Sequence, residues 1–233
     1  MMHVTLCLTI GRRPALLQQT LTSLLDLGDF AKVIAINDFR DRATNDMFMS
    51  LCPDGQLISL DKQLGHHGAV DFMYQHVTTP YVLHCEDDWF FDARLDIPRA
   101  MDLLKSNSKM SQVCLRHISD FQFPDEIEQR LASVNTTAAS FFRLDNTHPQ
   151  WHGYTFNPHI ALLETWKTLG GFSQFKKERH ISRQLREQGM FTAYIDPGSC
   201  VHIGDEQSVS NDLSAPSRMR LLRKKIKKLF FSR

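Results

Sequence analysis

The sequence predicts one α/β domain built on a mostly parallel central sheet with helices on both faces. Three observations carry that expectation. Short apolar runs such as Val4–Ile10, 33–36 and 81–85 end abruptly at glycine or acidic residues, as buried strands do. Segments with apolar residues at helical spacing stand between those runs, and strand–helix alternation is the mark of parallel sheets with crossover helices. A length of 233 residues, 42% hydrophobic and 23% charged, suits one substantial domain.

The elements follow in order. The first strand is closed by Gly11, and Pro14 opens a helix carrying Leu16, Leu17, Leu21, Leu24 and Leu25 on one face, ending near Gly28. The second strand, 33–36, stops at Asn37-Asp38. Residues 38–46 read as a loop leading into a short helix over 47–51. A third strand is expected at 56–60, a helix at 68–76 and a fourth strand at 81–85. Beyond Asp92 the pattern loosens, with a helix over 97–104 and a strand over 110–115. The polar stretch 117–152 holds one helix from Pro124 to about Leu131. A strand over 154–162, a short helix stopped by Gly170-Gly171, a helix over 179–188 and a last strand over 191–195 complete the domain.

Composition excludes several classes. No run approaches the roughly 18 apolar residues of a membrane span. The apolar start has no basic leader or small-residue cleavage site, so no export signal is expected and the protein is placed in the cytoplasm. Five cysteines (Cys7, Cys52, Cys85, Cys114, Cys200) without CxxC spacing read as reduced core thiols. Charge is uneven: residues 216–233 hold eight of the 27 Lys and Arg and no acid, which leaves 19 basic against 26 acidic residues elsewhere. Within that tail Met219, Leu222, Ile226, Leu229 and Phe230 fall at helical spacing. It reads as an amphipathic basic helix attracted to an anionic membrane surface. An acidic body argues against nucleic acid as a partner.

The sharpest chemical signal is Glu86-Asp87-Asp88, three carboxylates directly after an apolar strand and before Trp89-Phe90-Phe91. Adjacent carboxylates repel unless something positive binds, and oxygen donors of this kind suit Mn²⁺ or Mg²⁺. An acidic turn alone is equally compatible with a solvated loop or a helix start. In open α/β sheets ligands gather beyond the carboxyl ends of the strands, which puts Asp38 on the same rim as the triplet.

Six segments in one order resemble family 2-type glycosyltransferases of the GT-A fold: Val4–Ile10 with Arg13-Pro14; 33–38 with Asp41 and Thr44; Leu64-Gly65-His66-His67-Gly68-Ala69; Glu86-Asp87-Asp88; Leu169-Gly170-Gly171-Phe172; and Glu178-Arg179. The likeness covers about residues 3 to 203. It implies a nucleotide-binding half over 1–92, an acceptor half over 93–204, and a linker with the basic tail over 205–233. It also implies roles. Asp38, Thr9, Arg13, Lys62, Gly65 and Asp87 would contact the nucleotide-sugar donor, with Trp151 and His152 near the sugar. Asp88, Glu86 and His202 would hold the metal, and Glu178 would be the general base of an inverting transfer to a glycan or lipid-linked acceptor of the cell envelope. Two departures stand out: the metal motif begins with Glu, and the family's Glu-Asp is here Glu178-Arg179. Two other readings compete. One is a metal-dependent phosphohydrolase using His66, His67, Asp71, His84 and the triplet. The other is a non-catalytic scaffold of the same fold that docks on membranes.

Overall fold

In the computed structural model the structure describes residues 4–204, apart from 129, 130 and 132. The first strand, β1 (Val4–Ile10), alternates as a two-sided buried strand must: Val4, Leu6, Leu8 and Ile10 join one core layer, and Cys7 joins the other. Beside it lie β2 (Lys32–Asn37), β3 (Gln56–Ser59) and β4 (Tyr81–Glu86), all parallel, in the order β3-β2-β1-β4. Parallel pairing needs crossovers, and the chain supplies α1 (Pro14–Leu24), α2 (Arg42–Leu51) and α3 (His66–Tyr74). α1 and α2 pack in the layer with Leu8, whereas α3 packs in the layer with Cys7, so both faces are covered as expected.

Beyond β4 the directions mix. A short strand, β5 (Trp89–Phe91), leaves the main sheet, followed by α4 (Ile97–Ser106) and β6 (Met110–Cys114). The polar stretch holds α5 (Asp125–Glu128), then β7 (Ser133–Asn135) and β8 (Ser140–Arg143). Then come β9 (His159–Leu162), α6 (Leu163–Leu169), α7 (Glu178–Glu187), β10 (Phe191–Asp196) and β11 (Cys200–His202). The nine-stranded sheet continues β4-β9-β6-β10-β8-β7, with β9, β8 and β7 in antiparallel pairs and β10 parallel to β6. β11 pairs antiparallel with β5, matching His202 to Trp89.

Four local expectations change. α2 begins at Arg42, because Asp41 caps it by accepting the Thr44 amide at 3.0 Å. The strand expected over 154–162 is only its last four residues, since side chains take up the backbone groups ahead of it. Ser182 accepts the Gly153 amide at 2.9 Å, Gln112 donates to the Thr155 carbonyl at 3.0 Å, and Pro158 has no amide to give. The β7–β8 hairpin and the β5–β11 pair were not expected at all. The tail at 216–233, and the part of the 124–131 helix at 129 and 130, lie outside the described residues. Among the described residues no helix is long and apolar enough to cross a membrane. All five cysteines are buried and unpaired, as expected of core thiols.

Candidate active site

Three strand ends and one helix start converge on the carboxyl rim of the parallel strands. β1 ends at Thr9-Ile10, which pair in register with Ile36-Asn37 of β2, and Thr9 pairs with Glu86 of β4. Thr9, Arg13, Asp38, Phe39, His66, Glu86 and Asp87 line one cleft there. The topology therefore gathers residues up to 78 positions apart around one opening. A roomier cleft of about 810 Å³ lies at the opposite end of β1, around Val4, Leu27 and Met101. It contains none of the triplet.

The acids are held firmly. Asp38 is 4% exposed and spends one oxygen on the Leu64 amide (2.7 Å) and the other on the Gly65 amide (2.9 Å). It thus fixes the entry to α3, whose first residue, His66, lines the cleft. Asp87 is fully buried. It accepts the Gly11 amide at 2.9 Å and is gripped by the Arg13 guanidinium. Asp88 is bound by the other arm of Arg13 at 2.5 Å and lies 3.1 Å from His202 Nε2, both on Oδ2. The Asp88 backbone is fixed as well, because its carbonyl accepts the Ile203 amide at 2.9 Å. Gly204 then lies so close that a Cβ there would overlap the Asp88 carboxylate, so only glycine lets the chain pass.

Charge crowding tunes these groups. Burial, then the neighbouring charges of Asp88, Glu178 and Asp87, push Glu86 up to about 8. Burial raises Asp87 to about 6 against the pull of Arg13 and the Gly11 amide. Burial would raise Asp88 too, but the His202 hydrogen bond and the Arg13 charge outweigh it and hold that carboxyl below the ordinary range. His66 is pushed down to about 4 by burial and by the neighbouring His67. Carboxyls whose folded pKa is raised bind more protons in the native state than in the unfolded one. Histidines held neutral by burial, such as His66, contribute in the opposite sense up to about pH 6.5, so the metal-free protein should lose stability as pH rises from about 6.5 towards 8. Thermal melts should show a loss on the order of 1–3 kcal/mol, and Glu86→Gln should flatten that slope.

Glu178 opens α7 and turns inward, with Oε1 3.4 Å from the Phe156 amide. Burial raises its pKa, opposed by hydrogen bonds from Thr155 and Phe156, and its charge is felt at Glu86. The segment that delivers it is pinned to α3 twice. Asp71 accepts the Trp166 indole (2.7 Å), the Phe172 amide (2.7 Å) and the Ser173 amide (2.8 Å), and His67 Nδ1 meets the Phe175 carbonyl at 2.7 Å. Gly171, at φ +89°, makes the turn; a side chain there would press on Asp71.

Other predicted site residues are not all brought to the cleft. Lys62 is exposed on the loop between β3 and α3. Trp151 and His152 lie outside the cleft lining; His152 Nδ1 bonds the Tyr194 hydroxyl at 2.9 Å, and Tyr194 feels the charge of Glu178. The phosphohydrolase cluster does not assemble. Asp71 is spent on the Gly-Gly-Phe turn, and His84 is wholly buried, bonded to Tyr74 and stacked on His159. Sequence reasoning missed the Asp71 clamp, although an acid between Val70 and Phe72 on an apolar helix was its signal.

A divalent ion fits Asp88 best. Oδ1 of Asp88 is buried with no partner among the described residues, and an imidazole nitrogen stands beside the same carboxylate. Among the described residues no three His, Cys, Asp or Glu side chains converge as ligands. Mn²⁺ and Mg²⁺ can be held by one or two protein ligands, with water and phosphate oxygens completing the shell.

The family model of glycosyl transferase family 2 matches residues 6–165. No curated protein matches the sequence. Among solved structures, the mannosyltransferase PcManGT from Pyrobaculum calidifontis, in complex with GDP-Man and Mn²⁺, matches with a TM-score of 0.64 at 15% identity, over 88% of this chain and 58% of that one. S. aureus TarS 1–349 matches with a TM-score of 0.60 at 12% identity, over 88% and 61%. The same fragment in complex with UDP gives 0.59 at 12%, over 86% and 60%. Likeness at these identities shows a shared fold. The chain spans about three-fifths of the length of these structures.

Proposed function

Because the chain belongs to glycosyl transferase family 2 and is a glycosyltransferase of GT-A fold, we propose that it performs a metal-dependent, inverting transfer. The sugar passes from a nucleoside-diphosphate sugar to a hydroxyl of a glycan or lipid-linked acceptor. The observation that supports this reading is that Glu86 and Asp87 line one cleft with Thr9, Arg13 and Asp38, while Asp88 shares Arg13 with Asp87 and the charge of Glu178 is felt at Glu86.

In this reading Thr9, Arg13, Asp38 and Gly65 surround the nucleotide, and Asp88 with His202 holds the ion. A bound divalent ion offsets the charge growing on the departing diphosphate. Glu178 accepts the proton of the attacking hydroxyl as that oxygen bonds the anomeric carbon; the bond from that carbon to the diphosphate breaks in the same step, which inverts the anomeric configuration. A base with a pKa raised by burial takes that proton more readily than an ordinary glutamate does. The basic tail at 216–233 would set this chemistry on the cytoplasmic face of a membrane.

The test is a thermal-shift screen of nucleotide sugars with and without Mn²⁺. At a hundredfold over its Kd the right donor should raise the melting temperature on the order of 5–10 °C, and by much less without the ion. Stabilisation by no nucleotide sugar, or hydrolysis of simple phosphoesters without an acceptor, would overturn the reading.

A further inference from the structure

Arg13 occupies the place where the acids need a cation. Its guanidinium forks, one arm on Asp87 and the other 2.5 Å from Asp88 Oδ2, and its side chain is only 13% exposed. The fork loads the Asp88 carboxylate unevenly. Oδ2 meets both Arg13 and His202, whereas Oδ1 is buried with no partner among the described residues. The backbone on either side is fixed. Arg12, at φ +60°, donates its amide to Asp41 at 2.7 Å, and the Arg13 carbonyl accepts the Leu17 amide at 2.9 Å as α1 begins. Only the Arg13 side chain is free to give way.

A divalent ion taken up at Asp88 would stand beside this guanidinium, and like charges so close in a poorly hydrated site repel strongly. We propose that Arg13 is a resident counter-cation that competes with the divalent ion for Asp88, and that the donor's diphosphate supplies the negative charge that lets both cations stay. This rests on the metal-dependent donor reading above. It goes further by assigning the order of events: the ion binds the free protein weakly, and ion and nucleoside diphosphate strengthen each other's binding by the same factor.

The experiment is a Mn²⁺ titration of the full chain followed by electron paramagnetic resonance, with and without UDP or GDP. Arg13→Gln keeps an amide donor but removes the charge. It should bind Mn²⁺ about 10-fold tighter than the unaltered protein in the absence of nucleotide, and gain less from added nucleotide. Arg13→Lys, which keeps the charge, should keep the weak binding. If Arg13→Gln binds Mn²⁺ no tighter while the unaltered protein takes up the ion with UDP or GDP, this inference alone falls. If the unaltered protein binds no Mn²⁺ under any condition, the donor-site reading falls with it. Should Arg13→Gln fail to fold, Arg13→Met, which also removes the charge, carries the same test: Mn²⁺ binding tighter than in the unaltered protein without nucleotide supports the competition, and binding no tighter overturns it.

Discussion

Glu178→Gln is expected to lower kcat by about 10²–10⁴-fold while leaving donor binding within about twofold, because the side chain acts on the acceptor hydroxyl and not on the nucleotide. The substitution is close to isosteric, and an amide oxygen can still accept from the Phe156 amide and the Thr155 hydroxyl, so the α7 start should survive. The pH profile adds a second reading. A general base works only when ionised, so the rate should rise with pH through the Glu178 pKa, which burial places above the ordinary glutamate range. That limb should vanish in the glutamine variant. Full activity in Glu178→Gln, or an acid limb that persists unchanged, would assign the base to another group.

How much of this was legible beforehand depended on the range of the interaction. Strands β1, β2, β4 and β6 were visible because each is a continuous apolar run, and a run is a local property. β5 and β11 have three residues each and are strands only because they pair with each other across some 110 positions. β7 and β8 lie in a polar stretch where only Val134, Phe141 and Phe142 hint at a ladder. The missed first turn of α2 had a readable signal in Asp41 with Thr44 three residues on.

The cleft itself was legible to the same degree. Asp38 and the acidic triplet could be set on one rim from strand ends alone. The meeting of His202 with Asp88 could not, since it depends on the β5–β11 pair. Nor does spacing reveal that Asp38 spends both oxygens on the 64–65 backbone, or that Arg13 bridges two acids some 75 residues away. Sequence pattern identifies which residue types reach the rim; which of them touch is decided by packing.

The second large effect is expected at Asp88. Asp88→Ala should lower kcat/KM by about 10³-fold, roughly 4 kcal/mol, the scale of charge stabilisation that a bound ion supplies to a leaving diphosphate. Calorimetry with UDP or GDP gives the sharper test. The unaltered protein should bind the nucleotide more tightly with Mn²⁺ than without, whereas Asp88→Ala should bind it equally weakly in both. Two compensations shape the result. Arg13 loses one of its two acids but keeps Asp87, and His202 loses the carboxylate it meets, so the fold should tolerate the change with a modest loss of stability. The released guanidinium can turn towards the diphosphate, which leaves residual binding that is independent of the ion. Nucleotide binding in Asp88→Ala that still rises with Mn²⁺ would mean that the ion sits elsewhere, and Asp87 and Asp88 would then be read as a clamp on Arg13 alone.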